Sequence, residues 1–400
     1  MAFLKAFFIY LLSELKRNIP ERVFTKYLYL HFLLNPKQIN IMRHFNHFIR
    51  TALVLTMGIF VFASCQQQPQ YSAEITEEDG EEVAVLHDRD NNTHVSIAVS
   101  VGNTMYELMV NDTNHLSFPV SLKAYSNSPG KFGNPFLYPW GNRLEGDYYY
   151  FNDQKITLDT TIESITLERD GNGLPIHGYL TKNDAWETVD YSASEDGGAT
   201  HTAEIDFTEH PDLMKNYPFP HVVRMKHALE DGVVSIELTV ENTGEESMPL
   251  AYGFHTYYKI PPMETNDSYL TIPAENYMEL DSLLLPTGNL EDINSLISDP
   301  RQYRIGTKLI DHIFTEFNSG NDYTEFVLQK PNHTVNIQIG PEYKYTTVYS
   351  PLDKDYPYVC VEPMMAPTNG FNLYHKGDWD HLPIVQAGEE HTSTFRISIE

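Results

Sequence analysis

The sequence predicts an all-β fold, a large antiparallel β-sandwich formed by a single domain. Three observations lead to this prediction. Apolar and polar residues alternate strictly in several stretches, short glycine-containing turns separate neighbouring stretches, and convincing amphipathic helices are scarce. Alternation with a period of two is typical of strands that have one buried and one solvated face, and such turns join antiparallel strands.

The clearest alternation lies in the second half of the chain. Ile236, Leu238 and Val240 are separated by polar residues, and the same pattern recurs in residues 335–339 and 395–399. The residues from 71 to 400 contain no linker, change of composition or internal repeat that would divide them. Two packed sheets are the natural way to bury one face of so many strands.

Turn residues indicate where the strands pair. Gly102-Asn103 separates VSIAVSV from TMYELMV, and Asp231-Gly232 separates MKHALE from VVSIEL. Such dipeptides between strand-like runs predict β-hairpins, and we expect a third at residues 196–198. Residues 289–297 have at best the pattern of a short helix.

The N-terminal part has the pattern of an export signal. Residues 51–63 form a 13-residue apolar run that follows Arg43 and Arg50 and ends at Ala63-Ser64-Cys65. Basic residues, a short apolar run and small residues, in this order, are typical of a secretory signal. A cysteine directly after small residues resembles a bacterial lipobox, in which that cysteine becomes lipidated. An ordinary signal with an incidental cysteine is the alternative.

These features predict four segments. Residues 1–41 are interpreted as a mis-assigned upstream start or an extra N-terminal segment, and residues 42–64 as a lipoprotein signal peptide. Residues 65–80 would be a tether, and residues 81–400 the folded domain. We expect a protein that is exported and anchored by lipid to a bacterial membrane, in the periplasm or at the cell surface, with no other membrane contact.

Charge and cysteine content exclude several classes of function. The chain has 27 basic and 55 acidic residues, of which residues 1–64 hold 8 and 2, so the remainder carries a net charge of −34. Such a surface repels phosphate backbones and disfavours nucleic-acid binding and close self-association, so we expect a monomer. The two cysteines, Cys65 and Cys360, cannot build a disulfide framework or a Cys-based zinc site. Cys360 lies among apolar residues and is interpreted as a buried residue that only packs in the core.

Four segments place polar side chains among glycine and proline: YPWGNR at 138–143, PIHG at 175–178, GFHTYY at 253–258 and VEP at 361–363. Glycines let a backbone approach a ligand closely. Two histidines, a glutamate and an arginine could transfer protons on a neutral, polyhydroxylated substrate.

These segments, in this order, resemble the aldose 1-epimerase (galactose mutarotase) family over most of residues 85–400. The resemblance rests on five motifs: Asn142-Arg143, His177-Gly178, His255-Thr256-Tyr257-Tyr258, Pro286-Thr287-Gly288 with Asp311-His312, and Cys360-Val361-Glu362-Pro363. The family's fold is a large antiparallel β-sandwich, which agrees with the strand pattern.

The resemblance implies an exchange of the α and β anomers of a free aldose, by ring opening and closure under general acid–base catalysis. It implies that Glu362 is the base, that His255 is the acid, and that His177 polarises the ring oxygen or anomeric region. The substrate-binding residues implied by the family motifs, or suggested by aromatic faces suited to sugar C–H groups, are Arg143, Asn142, Asp311, Trp140 and Tyr257. No metal and no organic cofactor is required, and a monosaccharide is the expected partner.

Three alternatives remain open on the same residues. A carbohydrate-binding lipoprotein without activity would use the same scaffold, because one fold hosts many functions. A hexose-phosphate epimerase would need a cationic phosphate cradle. A glycoside hydrolase would use Asp311 and Glu362 as its two carboxylates.

Overall fold

The structure is a computed structural model that describes residues 68–118, 121–127, 132–318, 322–352 and 358–400. The predicted segments 1–41 and 42–64 and the predicted lipidation site, Cys65, lie outside the described residues.

Antiparallel strands form most of the regular secondary structure in the described chain, as the alternation predicts. The strands of the first half are β1 (Tyr71–Glu78), β2 (Glu81–Asp88), β3 (Thr93–Ala98), β4 (Thr104–Val110), β5 (Thr113–Asn114), β6 (Phe136–Leu137), β7 (Tyr148–Phe151), β8 (Gln154–Thr157), β9 (Glu187–Ser194), β10 (Gly198–Asp206), β11 (His221–Glu230), β12 (Val233–Asn242) and β13 (Met248–Pro249).

The strands of the second half are β14 (Gly253–Phe254), β15 (Thr256–Lys259), β16 (Tyr269–Thr271), β17 (Ala274–Leu280), β18 (Pro286–Asp292), β19 (Tyr303–Arg304), β20 (Ile310–Phe317), β21 (Thr324–Gln329), β22 (Thr334–Ile339), β23 (Tyr345–Ser350), β24 (Tyr358–Met364), β25 (Ile384–Val385) and β26 (Glu390–Ile399).

Two large sheets form the body of the domain. The nine-stranded sheet has the order β19-β16-β21-β22-β26-β12-β11-β10-β9. The second sheet has the order β18-β17-β20-β23-β24-β14-β6, and β15 joins it by pairing with β24. All three predicted hairpins are confirmed, because the turns at 102–103, 231–232 and 196–198 join β3 to β4, β11 to β12 and β9 to β10.

The two sheets pack face to face around one large apolar core, which confirms the predicted sandwich. Phe254 of one sheet lies 4.9 Å from Phe395 of the other, measured between ring centroids. Ile236, Leu238 and Val240 are fully buried, because alternation places all three on the inner face of β12. Burying one face of each sheet supplies most of the apolar stabilisation of such a fold.

Four short α-helices lie between strands of the described chain: α1 (Leu122–Ser126), α2 (Pro211–Asn216), α3 (Ile293–Leu296) and α4 (Gly370–Lys376). The short helix considered for residues 289–297 forms only in the second half of that range, as α3, because residues up to Asp292 belong to β18. Asp292 begins α3 by accepting a hydrogen bond from the Asn294 amide. Within the described residues, no helix has the length and apolar character needed to cross a membrane.

The predicted tether needs a correction. Residues 71–78 form β1, which pairs along its whole length with β2 at the edge of a five-stranded sheet, β1-β2-β3-β4-β5. Tyr71 is 4% exposed and its hydroxyl donates to Asp231, so this end of the chain is fixed to the β11–β12 turn. The folded domain therefore begins about ten residues before position 81. Tyr71, Ala73 and Ile75 alternate with polar residues, so the sequence does contain a short strand signal before the predicted boundary at 81.

Two buried histidines lie in the nine-stranded sheet, His201 on β10 and His227 on β11, with ring centroids 6.3 Å apart. Burial, together with a smaller effect of the neighbouring His201, lowers the pKa of His227 to about 3, and burial lowers the pKa of His201 to about 4. Both histidines are therefore neutral in the folded protein near neutral pH, although they would accept protons in the unfolded chain below about pH 6.5.

We expect the free energy of unfolding to fall as the pH is lowered from 7 to 5, by about 2 kcal/mol through His227 alone. The folded-state pKa is depressed, so the unfolded chain binds the extra proton and is stabilised as the pH falls. Urea unfolding at several pH values measures this. His227→Leu should reduce the pH dependence by about this amount, and His381→Leu, which replaces a side chain that is 75% exposed, should leave it unchanged. An unaltered slope in His227→Leu would contradict the assignment.

Candidate active site

The candidate site is built on the middle of β24, in the second sheet. Glu362 is 1% exposed, and β23 and β15 flank β24 on its two sides. Cys360 and Glu362 are two residues apart on this strand, so their side chains point to the same face of the sheet. A carboxylate is costly to bury unless other groups compensate its charge.

His255 lies beside this carboxylate. It lies between β14 and β15, which both pair with β24, and its Nε2 lies 3.2 Å from Oε1 of Glu362. Gly253, two residues before His255, makes this approach possible. A Cβ on Gly253 would lie 2.1 Å from Sδ of Met364 and 2.8 Å from the Pro363 carbonyl oxygen, so a larger residue would push the strands apart.

His177 joins the pair from a loop. Its ring centroid lies 5.2 Å from that of His255, with the two rings nearly perpendicular. His177 has a φ of +66°, a backbone conformation that is uncommon for a residue other than glycine. The loop is fixed on both sides, because the His177 amide donates to the Asn142 carbonyl oxygen, and a Cβ on Gly178 would lie 2.0 Å from the Tyr138 carbonyl oxygen.

Tyr257 stacks on the ring of His255. The two rings stack with centroids 4.4 Å apart and an angle of 8°, and the Tyr257 hydroxyl is 3.5 Å from His255 Nε2. Burial raises the pKa of Tyr257 well above its ordinary value, with smaller contributions from Cys360 and Glu362. Tyr257 is therefore a neutral phenol, able to donate a hydrogen bond.

Arg143 is held between two carboxylates. Its Nε lies 2.8 Å from Oδ2 of Asp170, and its Nη2 lies 3.6 Å from Oδ2 of Asp311 on β20. Burial raises the pKa of Asp311, and Arg143 opposes this effect. Burial acts on Asp170 in the same direction, but the Leu174 amide, Arg143 and the Asn172 amide outweigh it and lower the pKa of Asp170.

Asn142 links the Arg143 loop to the floor of the site. Its side-chain nitrogen donates to the Thr347 hydroxyl over 3.0 Å, and Thr347 lies directly opposite Glu362 in the β23–β24 pair. The structure therefore brings Asn142, Arg143, His177, His255, Tyr257, Asp311 and Glu362 to one region, by direct contact or through the β20–β23–β24 register.

Trp140 is the exception. Its ring is 1% exposed and packs on two buried tyrosines, Tyr179 and Tyr149, at centroid distances of 6.0 and 6.5 Å. We therefore place Trp140 in the packing behind the site, and its role as a face for the sugar stays a prediction. Neighbouring residues of one short segment can point in different directions, and sequence order alone does not reveal which of them faces a cleft.

Two residues that the sequence analysis missed belong to the site. Asp170 lies in a Gly-rich turn, DGNG, and its contact with Arg143 joins residues 27 positions apart, for which the turn pattern gives no signal. Cys360, interpreted as a residue that only packs in the core, is fully buried as expected. Its sulfur, however, lies close to His255 and Glu362. Burial raises the pKa of the Cys360 thiol well above its ordinary value, and the carboxylates of Glu362 and Asp311 raise it further.

The arrangement is suited to general acid–base chemistry. A carboxylate and an imidazole lie within hydrogen-bonding distance of each other, with a second imidazole beside them, and all three are at most 6% exposed. Proton transfer to and from a bound molecule requires donors and acceptors placed in this way. Arg143 and Asp311 present a hydrogen-bond donor and an acceptor 3.6 Å apart in the same region.

The chain is similar to a known protein family and to a curated protein. A family model described as aldose 1-epimerase matches residues 84–398. A curated relative, the uncharacterized protein YihR of Escherichia coli (strain K12), is 23% identical over 263 residues, which is 65% of this chain and 77% of that protein.

Solved structures share the fold. A galactose mutarotase-like protein from Clostridium acetobutylicum has a TM-score of 0.71 at 18% identity, over 83% of this chain and 99% of the other. A putative aldose 1-epimerase from Escherichia coli K12 has a TM-score of 0.60 at 15% identity, over 82% and 99%. At these identities, the likeness establishes a common β-sandwich and leaves chemistry to be argued from the site.

Proposed function

Because the chain belongs to the aldose 1-epimerase family, we propose that it is a mutarotase, which interconverts the α and β anomers of a free aldose. The observation that carries the proposal is the buried pair of Glu362 and His255, 3.2 Å apart, with His177 beside it. A carbohydrate-binding protein without activity would have no need for an acid and a base at one point.

The proposed reaction needs two proton transfers at one end of the sugar. Glu362 takes the proton from the anomeric hydroxyl while His255 donates a proton to the ring oxygen, so the C1–O5 bond breaks and a carbonyl forms at C1. The C1 carbonyl then rotates, and the ring closes on the other face as both protons return. The two residues end each turnover as they began it, so the cycle consumes no co-reactant.

The neighbours of the pair have supporting roles in this proposal. His177 donates a hydrogen bond to the ring oxygen or anomeric region. Tyr257 fixes the His255 ring by stacking on it, since the centroids are 4.4 Å apart. Arg143 and Asp311 bind hydroxyl groups at the other end of the sugar, which sets the position of C1 between the acid and the base.

The charges around Arg143 favour a neutral sugar over a sugar phosphate. Asp170 and Asp311 already compensate the guanidinium, and Glu362 adds a further carboxylate to the same region. A phosphate dianion would meet more negative than positive charge there. This argues against the hexose-phosphate alternative.

Glu362→Gln should lower the rate of mutarotation by roughly 10²–10⁴-fold, because the amide cannot accept the proton. Polarimetry of freshly dissolved α-galactose, α-glucose and a pentose measures the approach to anomeric equilibrium. Glu230→Gln, at an exposed position on β11, is the matched control and should keep the wild-type rate. A Glu362→Gln variant as fast as the wild type would refute the role of the carboxylate.

Asp170→Asn should raise KM about tenfold and change kcat less, since a lost charge-assisted hydrogen bond loosens Arg143 without touching the acid–base pair. The amide oxygen can still accept from the Leu174 and Asn172 amides, so the fold should persist. Initial rates over a range of sugar concentrations separate the two constants. A variant that loses kcat at unchanged KM would show that Asp170 does not act by positioning Arg143.

We also propose that the protein is exported and anchored through Cys65. The support is the order of basic residues, apolar run and small residues before Cys65. The first strand begins at Tyr71, so a lipid on Cys65 would hold the domain close to the membrane surface.

Cys65→Ala should move the protein from the detergent phase to the aqueous phase when bacterial cells that express it are partitioned with Triton X-114. Cys360→Ala is the matched control, since that cysteine is buried in the folded domain. If Cys65→Ala still enters the detergent phase, the anchor is not at Cys65.

A further inference from the structure

The proposed reaction has no task for Cys360, although this residue lies inside the site. Its side chain is fully buried and shares a face of β24 with Glu362. One nitrogen of His255, the sulfur of Cys360 and one carboxylate oxygen of Glu362 all lie within 4.8 Å of one another. The three residue types are the ones that bind borderline-soft cations.

The distances suit a small divalent cation. Zinc binds sulfur at about 2.3 Å and nitrogen or oxygen at about 2.0–2.2 Å, so tetrahedral ligands lie roughly 3.3–3.8 Å apart. His255 Nε2 and Glu362 Oε1 are already 3.2 Å apart. The longest separation in the group has to close by about 1 Å, which side-chain rotation can supply.

We propose that His255, Cys360 and Glu362 bind zinc or a similarly thiophilic divalent cation, which excludes the sugar and inhibits the enzyme. The inhibition rests on the proposed function, whereas the cation site itself does not. Three protein ligands leave one tetrahedral position, which water fills. On binding, a metal–sulfur bond replaces the S–H bond, and the proton leaves to solvent.

Inhibition follows from the identity of the ligands. The cation occupies the lone pairs with which Glu362 accepts a proton and through which His255 carries one, so neither residue can serve the ring. Electrostatics favours the cation as well, since Asp311 and Glu362 place negative charge around the thiol. Magnesium and calcium prefer sets of oxygen ligands and should not compete at similar concentrations.

The test uses the full chain carrying Cys65→Ser, so that Cys360 is its one thiol. Titration with cadmium should produce an ultraviolet thiolate-to-metal charge-transfer band that saturates at one equivalent. Cys360→Ser should abolish the band, and His255→Ala should weaken cadmium binding at least tenfold. His381→Ala, at an exposed position, should leave binding unchanged. Circular dichroism of each variant checks that the fold persists.

The second arm is polarimetry with and without zinc. For each variant, the rate with zinc is divided by the rate without zinc, and these ratios are compared between variants. Cys360→Ser should need at least tenfold more zinc for the same fractional inhibition. The proposal is overturned if the band is absent, if the band survives Cys360→Ser, or if zinc slows both proteins equally. If the metal-free chain does not accelerate mutarotation, the proposed function fails, and the cadmium titration still decides the cation site.

Discussion

The burial of the Glu362 carboxylate in the middle of a sheet is the constraint on which the site depends. A buried carboxylate costs several kcal/mol unless partners compensate it. His255 is brought within 3.2 Å by two strands that both pair with β24, and that approach requires a glycine at position 253. The strand register, Gly253 and the carboxylate–imidazole pair therefore depend on one another.

The packing of the two sheets holds these residues in fixed positions. The inner faces of the two sheets share one core, so β24 and its neighbours are fixed by packing over their whole length. Loops add His177 and Arg143, and each is fastened to another loop, to the sheet or to a carboxylate. Groups that must act within tenths of an ångström are best placed on fixed strands, with loops completing the site.

Charge balance connects the proposed substrate with the proposed inhibitor. Arg143 is compensated by Asp170 and Asp311, so the site as a whole offers more negative than positive charge. A neutral sugar meets this environment without penalty, a phosphate dianion is disfavoured, and a divalent cation is attracted. The strongly acidic domain extends the same preference to the surface.

The sequence alone determined the fold class and the three hairpins, because alternation and turn residues are local signals that act over a few positions. Its five ordered motifs carried the resemblance to the family. It also predicted Glu362, His255, His177 and Arg143 as site residues, through motifs of the family it resembles, and the structure brings these side chains to one region. Only the tertiary structure decided that Trp140 packs on buried tyrosines, that residues 71–78 pair with β2, and that Asp170 and Cys360 lie beside the candidate residues. These facts depend on strand register and on contacts between distant segments, and no local pattern of residues encodes which distant side chains will meet.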